Sequence, residues 1–194
     1  MKESRLGETL EELLENDPLG RAYNELHRRM NLTNADQEVE NVKAAMASGA
    51  KIAWEYLLFL SPITVVDATN FPRDEKEPVI VFFSADWCFP CQITKPVFAR
   101  LSHFFDKAGL YYCADVEVRE REGIEWIPQL VAYFPDGKIS SHCGGTTEEL
   151  WNNLNMLITL GRDATGDNEL VCGEGGVCAL QPKQKPDKNE RKKP

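Results

Sequence analysis

The segment Val79–Phe98, VIVFFSADWCFPCQITKPVF, constrains the fold more than any other part of the 194-residue chain. It opens as a nearly unbroken apolar run, which reads as a strand covered on both faces. Cys88 and Cys91 follow, separated by Phe89 and Pro90, and a helix is expected from about Cys88 to Ala108. A strand running into Cys-x-x-Cys at a helix start can serve metal binding, a structural staple or electron transfer, and this context favours the last. Cysteines three apart on a first helical turn can bring their sulfurs within bonding distance. The first of them sits among unpaired N–H groups at the positive end of the helix dipole, which stabilises a thiolate. Thiolate is the nucleophile of disulfide exchange, so Cys88 is expected to attack and Cys91 to resolve. Pro90 fits because the first turn needs no N–H from it.

Around this segment the chain divides into three parts. Residues 1–60 read as an all-helical extension. Leu6, Leu10, Leu13 and Leu14 form one stripe, Leu19, Ala22, Tyr23, Leu26 and Met30 a second. Asp17-Pro18 marks the break between them, with Asp17 as N-cap and Pro18 at the first helical position. A third helix is expected from about Asn34 to Leu60, with Val39, Val42, Met46, Ile52, Ala53 and Leu57 inward. These stripes either pack on each other and the next domain, or dimerise or dock a partner. Residues 61–162 change period, giving β, β, α, β, α, β, β, α in order, an α/β fold whose mixed sheet carries helices on both faces. In that order LYYCADVEV is a strand, Pro135-Asp136-Gly137 turns a hairpin, and a Thr-x-x-Glu cap signature, Thr146 with Glu149 or, offset by one, Thr147 with Leu150, opens the last helix. Residues 163–194 read as a flexible, basic, cysteine-containing tail rich in Gly and Pro.

The segment FFSADWCFPCQITKP resembles the active-site segment of the thioredoxin family, with Trp87 before the first cysteine, Pro90 before the second and Pro96 as the proline that kinks the active-site helix. GIEWIPQLVAYFPDGK resembles that family's cis-proline loop and following strands, and Gly144-Gly145 match as well. The resemblance covers about residues 62–160. It implies a thioredoxin-like fold, thiol–disulfide oxidoreductase activity on protein disulfides, and recycling by a thiol reductant without an organic cofactor. It further implies that Pro128 is the cis-proline beside Cys88 and Cys91, that a client chain pairs with the backbone of Ile127, and that Trp87 walls the groove. Phe89, Pro90 and Gly144 fall on the client side of the site. Phe89 is expected as a bulky apolar group at an exposed rim that makes the client surface selective.

The sequence departs from that pattern in places. The buried acid that helps the resolving cysteine in the family is replaced by Phe82, and YYCAD supplies no lysine near it. Gln129 stands where the family often has threonine. The alternative function is therefore a partner-binding, chaperone or redox-sensor module that uses the same fold with little turnover.

Of the six cysteines, Cys113 reads as a small buried hydrophobe and Cys143 as a spare thiol, with a third redox-sensitive thiol as its sharper reading. Cys172 and Cys178 are either a bystander pair or a second dithiol that relays electrons to or from Cys88 and Cys91. Their x5 spacing does not suit a common zinc knuckle, so no metal is expected. His27, His103 and His142 have no catalytic spacing, and only His142 falls near the site. The net charge of −9 argues against nucleic acid and anionic membranes as partners. The start of the chain lacks an apolar signal region and IAWEYLLFLSPITVV is too short and interrupted to span a bilayer, so a cytoplasmic setting is expected.

Overall fold

The computed structural model describes residues 7, 9–32, 36–72, 79–105, 108–134, 137–142, 146–164, 168–172 and 178–182. Three helices, α1 (Leu10–Asn16), α2 (Pro18–Leu32) and α3 (Asp36–Leu60), precede the sheet. Then come β1 (Thr64–Val66), β2 (Val79–Phe83), α4 (Phe89–Ser102), β3 (Gly109–Cys113) and α5 (Val116–Arg121). The order continues with β4 (Gln129–Phe134), β5 (Gly137–His142), α6 (Thr147–Ala164), β6 (Asn168–Cys172) and β7 (Cys178–Pro182). Five strands form one mixed sheet in the order β1-β3-β2-β4-β5. β1 and β2 lie parallel to β3, while β4 runs antiparallel to both β2 and β5.

Alternation along the strands divides the core. On one face Ile80, Phe82, Leu110, Tyr112, Leu130 and Ala132 are buried under α4, α6 and the N-terminal helices. Leu13, Leu19 and Trp54 belong to this same cluster, so the extension and the sheet share one core. On the other face Val81, Phe83, Cys113 and Val131 meet Val118 of α5, with Phe71 and Tyr133 packed against them. β2 is buried along its whole length because both faces are covered.

Asp17 couples the extension to the sheet domain. It ends α1 in the left-handed region (φ 33°), and its carboxylate accepts from the backbone N–H of Gly20 at the start of α2. The same oxygen accepts from the backbone N–H of Thr147, at the start of α6 (2.8 Å). Burial pushes the Asp17 carboxyl up, but hydrogen bonds from Thr147 and Gly20 outweigh it and hold the group below its ordinary value. A depressed carboxyl contributes stability above its unfolded-state value of about 3.9 and loses it as pH falls through the folded value. Asp17→Ala removes caps from two helices and is expected to cost about 2 kcal/mol near neutral pH, with the difference from the parent shrinking as pH falls below about 3.9. Denaturant titrations at pH 7 and pH 3 check this.

Several sequence expectations change. LYYCADVEV is not one strand: β3 stops at Cys113, because Asp115 caps α5 by accepting from the N–H groups of Glu117 (2.8 Å) and Val118 (3.1 Å). Ile52 is exposed, and Trp54 takes the inward place on α3. Residues 168–172 and 178–182 pair as an antiparallel hairpin, β6–β7, packed along α6, so these parts of the expected tail are ordered strands. Leu6, Pro135, Asp136, Cys143, Gly144 and Gly145 lie outside the described residues.

Candidate redox site

Cys88 is the N-cap of α4, with extended backbone (φ −83°, ψ 102°). Phe89 and Pro90 then occupy the first turn, where proline's missing N–H costs nothing. The carbonyl of Cys88 accepts the first helical bond, from the Gln92 N–H (3.1 Å). Its sulfur accepts from the Cys91 N–H at 3.2 Å, in the place where a cap serine's oxygen would sit. The two sulfurs are bonded at 2.07 Å, with Cα atoms 5.2 Å apart. Cys88 is 5% exposed and Cys91 not at all, so both are buried and what little exposure the pair has lies at Cys88.

The opposite wall comes from the loop before β4. The Ile127–Pro128 peptide bond is cis. Cys88 Sγ lies 3.8 Å from the Ile127 carbonyl oxygen, and Ile127 packs against the cluster of Ala85, Cys88 and Cys91. Two tryptophans next to site residues are exposed, one directly before Cys88 and one directly before Ile127. Trp87 is 73% exposed with the Arg119 guanidinium over its ring at 5.7 Å, and Trp126 beside Ile127 is also 73% exposed. The sequence reading passed over Trp126. An exposed aromatic directly before the Ile-Pro pair was the available signal.

Phe89 does not stand at an exposed rim. It is half-buried and packs against the main core, so its bulk is spent inward. Gly144 lies outside the described residues; the last residue of β5, His142, pairs with Gln129, the residue after Pro128. Gln129 pairs with Phe83 on its other side.

Behind the disulfide the acid position is filled by an aromatic stack. Phe82 stacks on Phe98 (4.8 Å between centroids) and faces Tyr112 (6.2 Å), which in turn meets Trp54 of α3 at 4.7 Å. No carboxylate has room there. The lysine absent from β3 has a counterpart on α4 that the sequence reading missed. Lys95, one turn past Cys91, is 6% exposed, and its ammonium lies over the rings of Tyr112 (5.2 Å) and Trp54 (5.9 Å). It reaches the exposed Asp86 carboxylate at 3.3 Å. Cation–π contact and a carboxylate at the rim offset the cost of burying that charge. The Asp86 carbonyl also accepts from the Gln92 side chain, fixing the residue before Trp87.

Cys113 is buried and unbonded on the far face of the sheet, where burial pushes its thiol up, consistent with a packing role. His27 is exposed and His103 is buried at the end of α4. Among the described residues no group of three or more His, Cys, Asp or Glu side chains gathers as a metal would need, and no helix is long and apolar enough to cross a membrane.

Residues 63–156 match the family model described as Thioredoxin. A thioredoxin of Aspergillus fumigatus is 38% identical over 82 residues, spanning 38% of this chain and 74% of that protein. The thioredoxin of Borreliella burgdorferi is 27% identical over 100 residues, spanning 46% of this chain and 86% of that one. Human DnaJ homolog subfamily C member 10 is 38% identical over 60 residues, 28% of this chain but only 8% of that protein. Among solved structures, Malassezia sympodialis thioredoxin superposes with a TM-score of 0.44 at 24% identity, covering 52% of this chain and 91% of that one. A bonded Cys-x-x-Cys capping a helix is the chemistry of thiol–disulfide exchange, and the relative matched over three quarters of its length carries the same assignment: the chain belongs to the thioredoxin family.

Proposed function

We propose that the protein exchanges disulfides with protein clients through Cys88 and Cys91, with Cys88 as nucleophile and Cys91 as resolving thiol. The observation that carries this reading is the bonded pair at the N-terminus of α4, with Cys88 as the N-cap residue and the more exposed of the two, and Cys91 fully buried. In the reduced form the Cys91 N–H and the helix dipole favour a Cys88 thiolate. That thiolate attacks a client disulfide, and Cys88 becomes linked to the client. Cys91, held three residues away, then attacks Cys88 and releases the reduced client. A separate thiol reductant restores the dithiol.

The cis Ile127–Pro128 bond and the nearby Ile127 carbonyl support a role for this loop in holding an extended client beside Cys88. Trp87, next to Cys88, and Trp126, next to Ile127, offer exposed apolar rings for client side chains. Trp126→Ala is expected to raise KM for a protein substrate about tenfold while leaving reduction of a small disulfide such as cystamine near the parental rate. Steady-state kinetics on the two substrates check this.

Insulin reduction by dithiothreitol tests the activity itself, with catalysis expected from the intact pair and none from a Cys88→Ser/Cys91→Ser chain. One observation favours the second reading of a binding module. Ile52, Tyr56 and Phe59 lie at i, i+4 and i+7 on α3, all exposed, Phe59 at 87%. If the doubly substituted chain still retains its cellular partner while the intact chain reduces no disulfide, the binding reading replaces the enzymatic one.

A further inference from the structure

We propose that Cys172 and Cys178 form a second redox couple, a cross-strand disulfide in the β6–β7 hairpin that exchanges electrons with Cys88 and Cys91. The exchange rests on the reading of Cys88 and Cys91 given above; formation of the hairpin disulfide does not.

The observation is the register of the hairpin. Asn168 pairs with Pro182, Leu170 with Leu180, and Cys172 directly with Cys178. Directly opposed residues in an antiparallel ladder have Cα atoms about 4.5–5.5 Å apart. Disulfides span about 4.4–6.8 Å between Cα atoms. A slip of one residue would place the cysteines on opposite faces. In the observed register they share a face with Leu170 and Leu180, at the last ladder position before the connecting residues. Cysteines merely scattered through a tail have no reason to meet at such a position. The hairpin also packs on α6, which itself packs on β4 and α4, so it belongs to the body that carries the redox site. Cys113 does not compete for either of them, because it is buried between the strands of the main sheet.

The reaction balances within the chain. The Cys88 thiolate attacks one sulfur of the hairpin disulfide, a Cys88–hairpin bond forms, and the other hairpin cysteine leaves as a thiolate. Cys91 then attacks Cys88. The Cys88–Cys91 bond forms, and the second hairpin thiolate leaves. Two electrons pass from the first pair to the second, and the two protons lost by Cys88 and Cys91 end on Cys172 and Cys178. The reverse sequence returns them, and no third reactant takes part.

The test begins with the full chain equilibrated in glutathione redox buffers, quenched by alkylation and mapped by mass spectrometry. Cys172 and Cys178 are expected to be recovered linked to each other in the oxidising buffers and doubly alkylated in the reducing ones. Recovery of both as thiols where Cys88–Cys91 is fully oxidised overturns the couple. The Cys91→Ser chain tests the exchange, since its first step proceeds and its second cannot. A bond linking Cys88 to Cys172 or Cys178 is expected in most molecules, and circular dichroism confirms that the variant is folded. If Cys88 instead captures an added insulin disulfide and never a hairpin cysteine, the exchange is wrong and the proposed function stands. If Cys88 captures neither, both fall, while the glutathione titration still decides whether the hairpin disulfide forms.

Discussion

Cys88→Ser is expected to reduce catalysed insulin reduction to the rate of dithiothreitol alone, a loss on the order of 10³-fold or more. The reason is specific to this position. Of the pair only Cys88 keeps any exposure, and its sulfur receives the Cys91 N–H at the positive end of α4. A serine hydroxyl keeps the cap hydrogen bond, so the helix and the fold survive, but it does not ionise near neutral pH and cannot enter disulfide exchange. Cys91→Ser should differ in kind. Its Cys88 still attacks, so one client per chain is captured and turnover stops. A stoichiometric burst followed by stalling in Cys91→Ser, against no reaction in Cys88→Ser, assigns the two roles. Equal behaviour of the two variants contradicts the assignment.

Phe82→Ala is expected to be the most damaging single core substitution, costing about 3–5 kcal/mol. Phe82 is fully buried and central to a chain of rings that joins β2, α4, β3 and α3. Removing it leaves a void between Phe98 and Tyr112, so the seating of Trp54, which packs on Tyr112, is weakened as well. For a chain of this size the loss corresponds to a fall in melting temperature of roughly 10 °C or more. The Cys88–Cys91 chemistry does not use Phe82, so the folded fraction at low temperature should retain its redox activity. Thermal unfolding with activity measured at 10 °C separates the two effects. A stable Phe82→Ala chain with lost activity would mean that this ring, and not packing alone, serves the exchange.

The strands and the site were legible where one local pattern carries the information. The apolar run of β2, the Cys-x-x-Cys at a helix start, the Thr146–Glu149 capping box and the Ile-Pro pair each declare themselves in a few residues, and the structure shows hydrogen bonds at 3.0 and 3.1 Å closing that box. What sequence reading missed depends on partners far away in the chain. Lys95 looks like a surface lysine until Trp54 and Tyr112 are brought over it. Ile52 and Trp54 are two residues apart on one helix, and hydrophobicity alone does not say which faces α4. Phe89 turns inward because the main core has room for it. The β6–β7 hairpin hides in a Gly-rich, charged composition that matches disorder, since its pairing is a matter of register and not of composition. Asp17 reads as a local cap, and nothing near it in sequence announces the bond to Thr147.

The proposed exchange requires that α4 prepare Cys88 as a thiolate. The most direct measurement is the pH dependence of alkylation of the fully reduced protein, with each cysteine followed separately by mass spectrometry. Cys88 is expected to react first, with a midpoint at least about one pH unit below the ordinary thiol value near 8.5, while Cys91 and Cys113 react slowly throughout. A Cys88 midpoint at or above about 8.5, or faster reaction at Cys91, would contradict it.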